Sequence, residues 1–236
     1  MTATPEIEIP EREAHIWLEQ LPLAPESVSE GKKLLSKAEI VRADRFHHRR
    51  DHDRYVAAHA RVRQILSKYT GIAPSGLEFD VSEFGKPSLR AAGNKRLINF
   101  NLSHSGDWIL LGVARNARIG VDIEEIKPEA ATLDVAERFF TKHEREDLLT
   151  LFEGDRVIAF FRCWSRKEAY LKALGCGLSA SPTDCDVTLL PEALPEIRQR
   201  IRSDTAEWSL FDLSSPAYGA ATAIDEKVVN LKRKGG

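Results

Sequence analysis

The sequence lacks any stretch that could cross a membrane as a helix. Its longest apolar run, Trp108 to Ala114, is broken by Gly112 and falls far short of the ~20 residues a span requires. No basic flank followed by an apolar core opens the chain, which argues against a secretory signal. Cysteine is scarce. Cys163, Cys176 and Cys185 are odd in number and form no C-x-x-C pair. Three reduced thiols in a cytoplasmic protein therefore fit better than a disulfide framework or a thiolate metal cluster. Charge of one sign is missing too: 34 Lys and Arg face 36 Asp and Glu, and a net charge of −2 exerts no global attraction on nucleic acid or membrane. Neither the phosphate-cradling G-x-x-x-x-G-K-[ST] nor the nucleophile elbow G-x-S-x-G occurs.

What is present is uneven. Between Lys32 and Arg63 lie ten Lys or Arg, four Asp or Glu and four of the seven His, a local charge of about +6 that leaves about −8 for the remainder. Apolar residues near helical spacing predict helix over 36–70, with Gly71 as its C-terminal stop. Strands are expected at His15–Leu18, Leu77–Val81, Leu97–Leu102, Trp108–Ala114 and Arg118–Glu124. Pro128–Leu151 and Val157–Leu174 read as helical, with Gly175 and Gly177 ending the second. Strands return in DCDVTLL, WSLFDL and GAATAI. Residues 1–12 and the tail KRKGG should be loose. No short repeat is visible. The fold class is α+β, with a junction near residues 115–120 and no Gly/Ser linker, so two packed halves, 1–117 and 118–236, are expected.

Two acids stand out in GVDIEEI. On a strand Asp122 and Glu124 point to one side while Val121 and Ile123 face the core. Like charges this close repel unless they are solvated or share a cation, and a solvated strand end is the plainer alternative. Glu168 adds weight to the cation. Phe161, Trp164, Leu171 and Leu174 form an apolar stripe on one helix, and Glu168 falls on it. A buried carboxylate needs a partner: Lys172 one turn on, Lys167 or Arg166 nearby, or a metal shared with the two strand acids. Oxygen ligands without His or Cys favour magnesium, with manganese as a substitute, over zinc.

Cations for a phosphorylated ligand are at hand. Arg42, Arg45, Arg49, Arg50 and Arg54 fall on the expected helix, where a solvated charged face is the alternative. No aromatic interleaving or motif of a nucleic-acid binder accompanies them. FGKPSL fixes Lys86 in a rigid turn. Ser103 and His104, at a strand end, face opposite ways and cannot act on each other as nucleophile and base, but can hold phosphate oxygens.

FGKPSL, NFNLSHSGDW, IGVDIEEIKP, RFFTKHE and FFRCWSRKEAYLKALGCGLS, in this order and spacing, resemble the Sfp-type 4′-phosphopantetheinyl transferases from about Ser36 to Leu190. The resemblance implies two similar α+β halves related by a pseudo-twofold axis, with coenzyme A in the cleft between them. It implies transfer of the phosphopantetheine arm of coenzyme A to a serine of an apo acyl or peptidyl carrier protein, dependent on magnesium and releasing 3′,5′-ADP. By position, Asp122, Glu124 and Glu168 look like the metal ligands. Glu168, Lys172 and His104 take the catalytic places, with Glu144 as a rival to Glu168 for the serine proton. Arg42, Arg54, Lys86, Ser103, His104 and Lys172 resemble the coenzyme contacts. Many relatives carry A-G-R where this chain reads Ala57-Ala58-His59, so a contact from that position is pH-dependent here. A monomer with no nucleic-acid or membrane partner is expected. A magnesium-dependent phosphohydrolase built on the same acids, or a non-catalytic nucleotide-binding module, are the other readings.

Overall fold

The computed structural model describes residues 6–175, 177, 180–202, 204–225 and 230–234, which leaves Cys176 outside the described residues. The chain begins with β1 (Glu13–Gln20), two short helices α1 (Pro25–Lys32) and α2 (Lys37–Ala43), and the long α3 (Arg49–Thr70). A small hairpin of β2 (Phe79–Val81) and β3 (Pro87–Leu89) leads to the antiparallel pair β4 (Ile98–Ser105) and β5 (Trp108–Arg115). The same order then recurs. β6 (Ile119–Glu125) is followed by α4 (Leu133–Phe139), α5 (Lys142–Thr150) and the long α6 (Glu153–Leu174). A hairpin of β7 (Asp186–Val187) and β8 (Ile197–Gln199) leads to the antiparallel pair β9 (Ser209–Asp212) and β10 (Tyr218–Ile224). In one sheet β1–β5–β4 are neighbours, and in the other β6–β10–β9, so the chain is α+β in two similar halves.

The likeness reaches into the core. Both long helices have 22 residues and stop at a glycine in the left-handed region, Gly71 and Gly175, which a side chain would strain. Fourteen residues after its first residue, each carries a buried cation, Arg63 or Lys167. Each cation meets the third-position glutamate of a capping box that opens the preceding short helix. Arg63 donates to Glu39 at 2.6 Å and Lys167 to Glu144 at 2.6 Å, while Ser36 and Thr141 complete the boxes. Burial of these charges is tolerable because each is paired and further bonded to backbone, Arg63 to Pro74 O and Leu77 O, Lys167 to Cys185 O.

Several expectations need correction. The helical stretch 36–70 is two helices, because Phe46 N–H turns back to Ala43 O and its ring packs on Tyr55 at 5.5 Å. Arg42 therefore lies on α2, Arg45 in the turn, and Arg49, Arg50 and Arg54 on α3. The stretch 128–151 likewise divides where Thr141 caps α5. α1, opened by Pro25, is marked in sequence by that proline alone. The KRK tail does not fray: it forms β11 (Asn230–Lys234), which pairs parallel with β1 of the other half and makes a cationic edge. Nor is the whole amino-terminal stretch loose, since Ile9 is buried and Glu6 N–H bonds Lys68 O. Among the described residues, no helix is long and apolar enough to cross a membrane.

One contact sets the site. A Cβ on Gly120 would lie 2.0 Å from Ala169 O and 2.3 Å from Ala173 N, so β6 lies directly on the backbone of α6. Gly120→Ala should therefore leave little or no soluble folded protein. Lys167→Met leaves Glu144 buried without its cation and should lower unfolding free energy by about 3–5 kcal/mol; urea denaturation measures it.

Candidate active site

The close packing of β6 on α6 brings strand acids beside a helix cation. Asp122 is 1% exposed, and its Oδ1 accepts hydrogen bonds from Lys172 Nζ at 2.6 Å and Ser103 Oγ at 3.2 Å. Lys172 also donates to Ser103 Oγ at 3.1 Å. Asp122 Oδ2 is buried with no hydrogen-bond partner among the described residues. Such an atom carries the desolvation cost of a lost bond, so it marks a place where a further positive group belongs. Glu124 is half-buried and accepts from Ser105 Oγ at 2.8 Å.

The electrostatics point the same way. Burial, then the charge of Asp122, push Glu124 above the usual carboxylate range, against the pull of Ser105 and Lys172. Burial and Asp122 raise Glu168 as well, with Lys172 opposing. Burial alone would lower Lys172, but Asp122, Glu168 and Glu124 outweigh it and hold its ammonium raised. Three carboxylates and one ammonium leave an excess of buried negative charge. All three offer hard oxygen donors, and the unpartnered Asp122 Oδ2 lies among them, a donor set that fits magnesium. As the side chains stand, no ready three-ligand cluster exists among the described residues, and Lys172 pairs with Asp122 Oδ1.

Further imidazole and guanidinium groups come from β4 and α3. His104 is exposed on β4, facing away from the buried Ser103 as alternation requires. Desolvation by surrounding atoms, followed by the charges of His59, Lys172 and Arg54, lowers its proton affinity. Arg54 is held by Asp107 in the β4–β5 turn, Nε to Oδ1 at 2.8 Å, and Asp107 takes Arg50 at 3.0 Å. His59 donates to Glu39 at 3.3 Å and stacks on Tyr55 at 4.0 Å. Arg42 stands one layer further out, 5.9 Å over that Tyr55 ring.

Two expected residues have other engagements. Lys86 Nζ donates to the carbonyls of Lys172 at 2.6 Å, Ile119 at 3.3 Å and Ala173 at 3.4 Å, where it complements the carboxyl end of α6. Glu144 is fully buried between Lys167, Thr141 N–H and Val187 N–H, which removes it as a base for a substrate proton. Sequence reasoning missed Asp107 and Ser105. The period-two row Asn101, Ser103, Ser105 in β4, polar on an inward face, was a legible signal for the second. Glu168 and Lys172 line a cleft of about 1130 Å³ walled by Phe84, Phe139, Trp164 and Leu171.

A carboxyl raised on folding binds its proton more tightly in the folded chain. Its stabilising contribution is full below the ordinary carboxylate range and lost as pH rises through the raised value. Metal-free Glu168→Gln should thus melt at a higher temperature than the wild type at neutral pH. The difference should close as pH falls through the Glu168 titration, which thermal unfolding in chelator can follow.

A profile described as the 4′-phosphopantetheinyl transferase superfamily matches residues 118–224, and one for the 4′-phosphopantetheinyl transferase N-terminal region matches residues 24–116. The 4′-phosphopantetheinyl transferase HetI of Nostoc sp. is 34% identical over 203 residues, covering 85% of this chain and 82% of that protein. The 4′-phosphopantetheinyl transferase ffp of Bacillus subtilis is 35% identical over 158 residues, 67% of this chain and 68% of the relative. Among solved structures, a holo-(acyl-carrier-protein) synthase from Bacillus anthracis aligns over 46% of this chain and 95% of its own, with 25% identity and a TM-score of 0.40. The chain belongs to the 4′-phosphopantetheinyl transferase superfamily and is an enzyme of that class.

Proposed function

We propose that this enzyme transfers the 4′-phosphopantetheine arm of coenzyme A to a serine of an apo acyl or peptidyl carrier protein and releases 3′,5′-ADP. The observation that carries the chemistry is the buried, unpartnered Asp122 Oδ2 beside Lys172, which with Glu168 lines the large apolar cleft. Asp122, Glu124 and Glu168 would hold magnesium, which when bound supplies neutralisation of the pyrophosphate and polarisation of the phosphorus under attack. Arg42, Arg54, Ser103, His104 and Lys172 would supply positive and hydrogen-bonding groups for the phosphates of the coenzyme, together with Lys86, which lines the cleft beside Glu168 and Lys172. His104, whose lowered proton affinity favours the neutral ring, donates one N–H to a phosphate oxygen.

In the reaction, the serine Oγ forms a bond to the phosphorus nearer the pantetheine. The phosphoanhydride bond breaks and 3′,5′-ADP leaves with the bridging oxygen. Glu168 takes the serine proton, a role that suits a carboxyl raised above its ordinary range. Lys172, kept charged by the acids around it, stabilises the charge on the departing phosphate. The apolar wall of Phe84, Phe139 and Trp164 receives the carrier protein beside Glu168. One chain supplies cleft residues from both halves, Lys86 and Asn101 from the first and Glu168 and Lys172 from the second, which favours a monomer; we place it in the cytoplasm.

With coenzyme A and magnesium, an apo-carrier protein should gain the mass of one phosphopantetheine arm, with an equal amount of 3′,5′-ADP released. Release of 3′,5′-ADP without any carrier would point to a hydrolase instead. Lys172→Met should lower kcat by about 10²-fold or more. Glu168→Gln, tested in single turnover with metal affinity followed separately, should lose the chemical step; an unchanged rate at saturating magnesium would sink its role as base.

A further inference from the structure

We propose that Ser105 is a positioning residue which orients Glu124 for the metal from across the seam between the two halves. The inference rests on reading Asp122, Glu124 and Glu168 as a metal site. β4 and β6 are not paired through their backbones, yet side chains join them at alternate positions. Asn101 Oδ1 accepts from Val121 N–H at 2.8 Å, Ser103 Oγ donates to Asp122 at 3.2 Å, and Ser105 Oγ donates to Glu124 Oε2 at 2.8 Å. Period two on a strand puts all three on one face, so the row is a consequence of sequence alternation.

Ser105 differs from its neighbours in that its direction is fixed from both sides. Its oxygen accepts the Glu125 N–H at 3.1 Å, and a backbone N–H can only donate. The single hydroxyl proton is thereby left for Glu124 Oε2. That bond holds one carboxylate oxygen in place and leaves Oε1, which takes no hydrogen bond from the described residues, as the free donor. The following residue reinforces the arrangement. At Gly106, with φ of +57°, a Cβ would lie 2.9 Å from the Glu125 carboxylate, so the turn presses against the end of β6 and delivers the Ser105 hydroxyl to the acid. Among the described residues the Ser105 hydroxyl hydrogen-bonds only Glu124 and the Glu125 N–H. Its action on the reaction therefore runs through Glu124, as an outer partner acts through a metal ligand.

Direct binding of Mn2+ to the chain without coenzyme A, read from the loss of the free-ion paramagnetic resonance signal, tests this apart from activity. The wild type should bind, Glu124→Gln should bind weakly, and Ser105→Ala should lose about tenfold or more in affinity with an unchanged near-ultraviolet spectrum. Ser105→Thr, which keeps the hydroxyl, should stay within threefold of the wild type. Equal affinities of Ser105→Ala and the wild type would overturn the assignment. So would an equal loss in Ser105→Thr, since packing rather than the hydroxyl would then set the affinity. A wild type that binds no Mn2+ would instead remove the metal reading of the three acids, and the inference with it.

Discussion

The active-site arrangement depends on the absence of a side chain at Gly120. Because β6 there meets the backbone of α6, Asp122 comes within hydrogen-bond reach of Lys172 at 2.6 Å, and Glu168 shares its field. A larger residue would push the strand off the helix and separate the acids from the ammonium. The same closeness dries the site. Burial is the first cause of the raised Glu124 and Glu168, so packing, more than any pairing of charges, tunes these groups.

The duplicated architecture explains how such a site is stabilised. Each half anchors its long helix with a buried cation on a capping-box glutamate, Arg63 on Glu39 and Lys167 on Glu144. Hydrogen-bonding Arg63, His59 and Ser36 outweigh burial and draw Glu39 down to about 2, so that pair stays ionised across the working range of pH. The halves then diverge in what their strands and helices offer the cleft. Cationic and imidazole groups come from α3 and β4, acids and Lys172 from β6 and α6. Matching frames thus carry different charged groups, and β11 ties the chain end back to β1.

Carboxylates that repel one another and an orphaned acceptor are unfavourable for folding, and under the proposed reaction they would act on the pyrophosphate. Glu144 shows the contrast. It is equally buried, but it is saturated by Lys167 and two backbone N–H groups, and it serves the frame alone.

Much of this was legible in the chain itself. Alternation placed Asp122 and Glu124 on one side of a strand, helical spacing put Glu168 on an inward stripe, and the motifs around them resembled one enzyme family. Gly71 and Gly175 marked helix ends because only a residue without Cβ takes the left-handed turn freely. Other features are contacts between residues far apart in sequence, and no local pattern encodes them. Lys86 reads as an exposed turn cation until the end of α6 is seen to meet it. Asp107 and Ser105 look like turn residues until Arg54 and Glu124 arrive opposite them. The KRK tail looks unstructured because a strand of cations buries little on its own, and it is ordered by the open edge of β1. The sequence by itself determined which residue types could do the chemistry and which face of each element they occupy, since backbone periodicity is local. Only the tertiary structure decided which of them meet, because that depends on how closely β6, α6 and β4 pack.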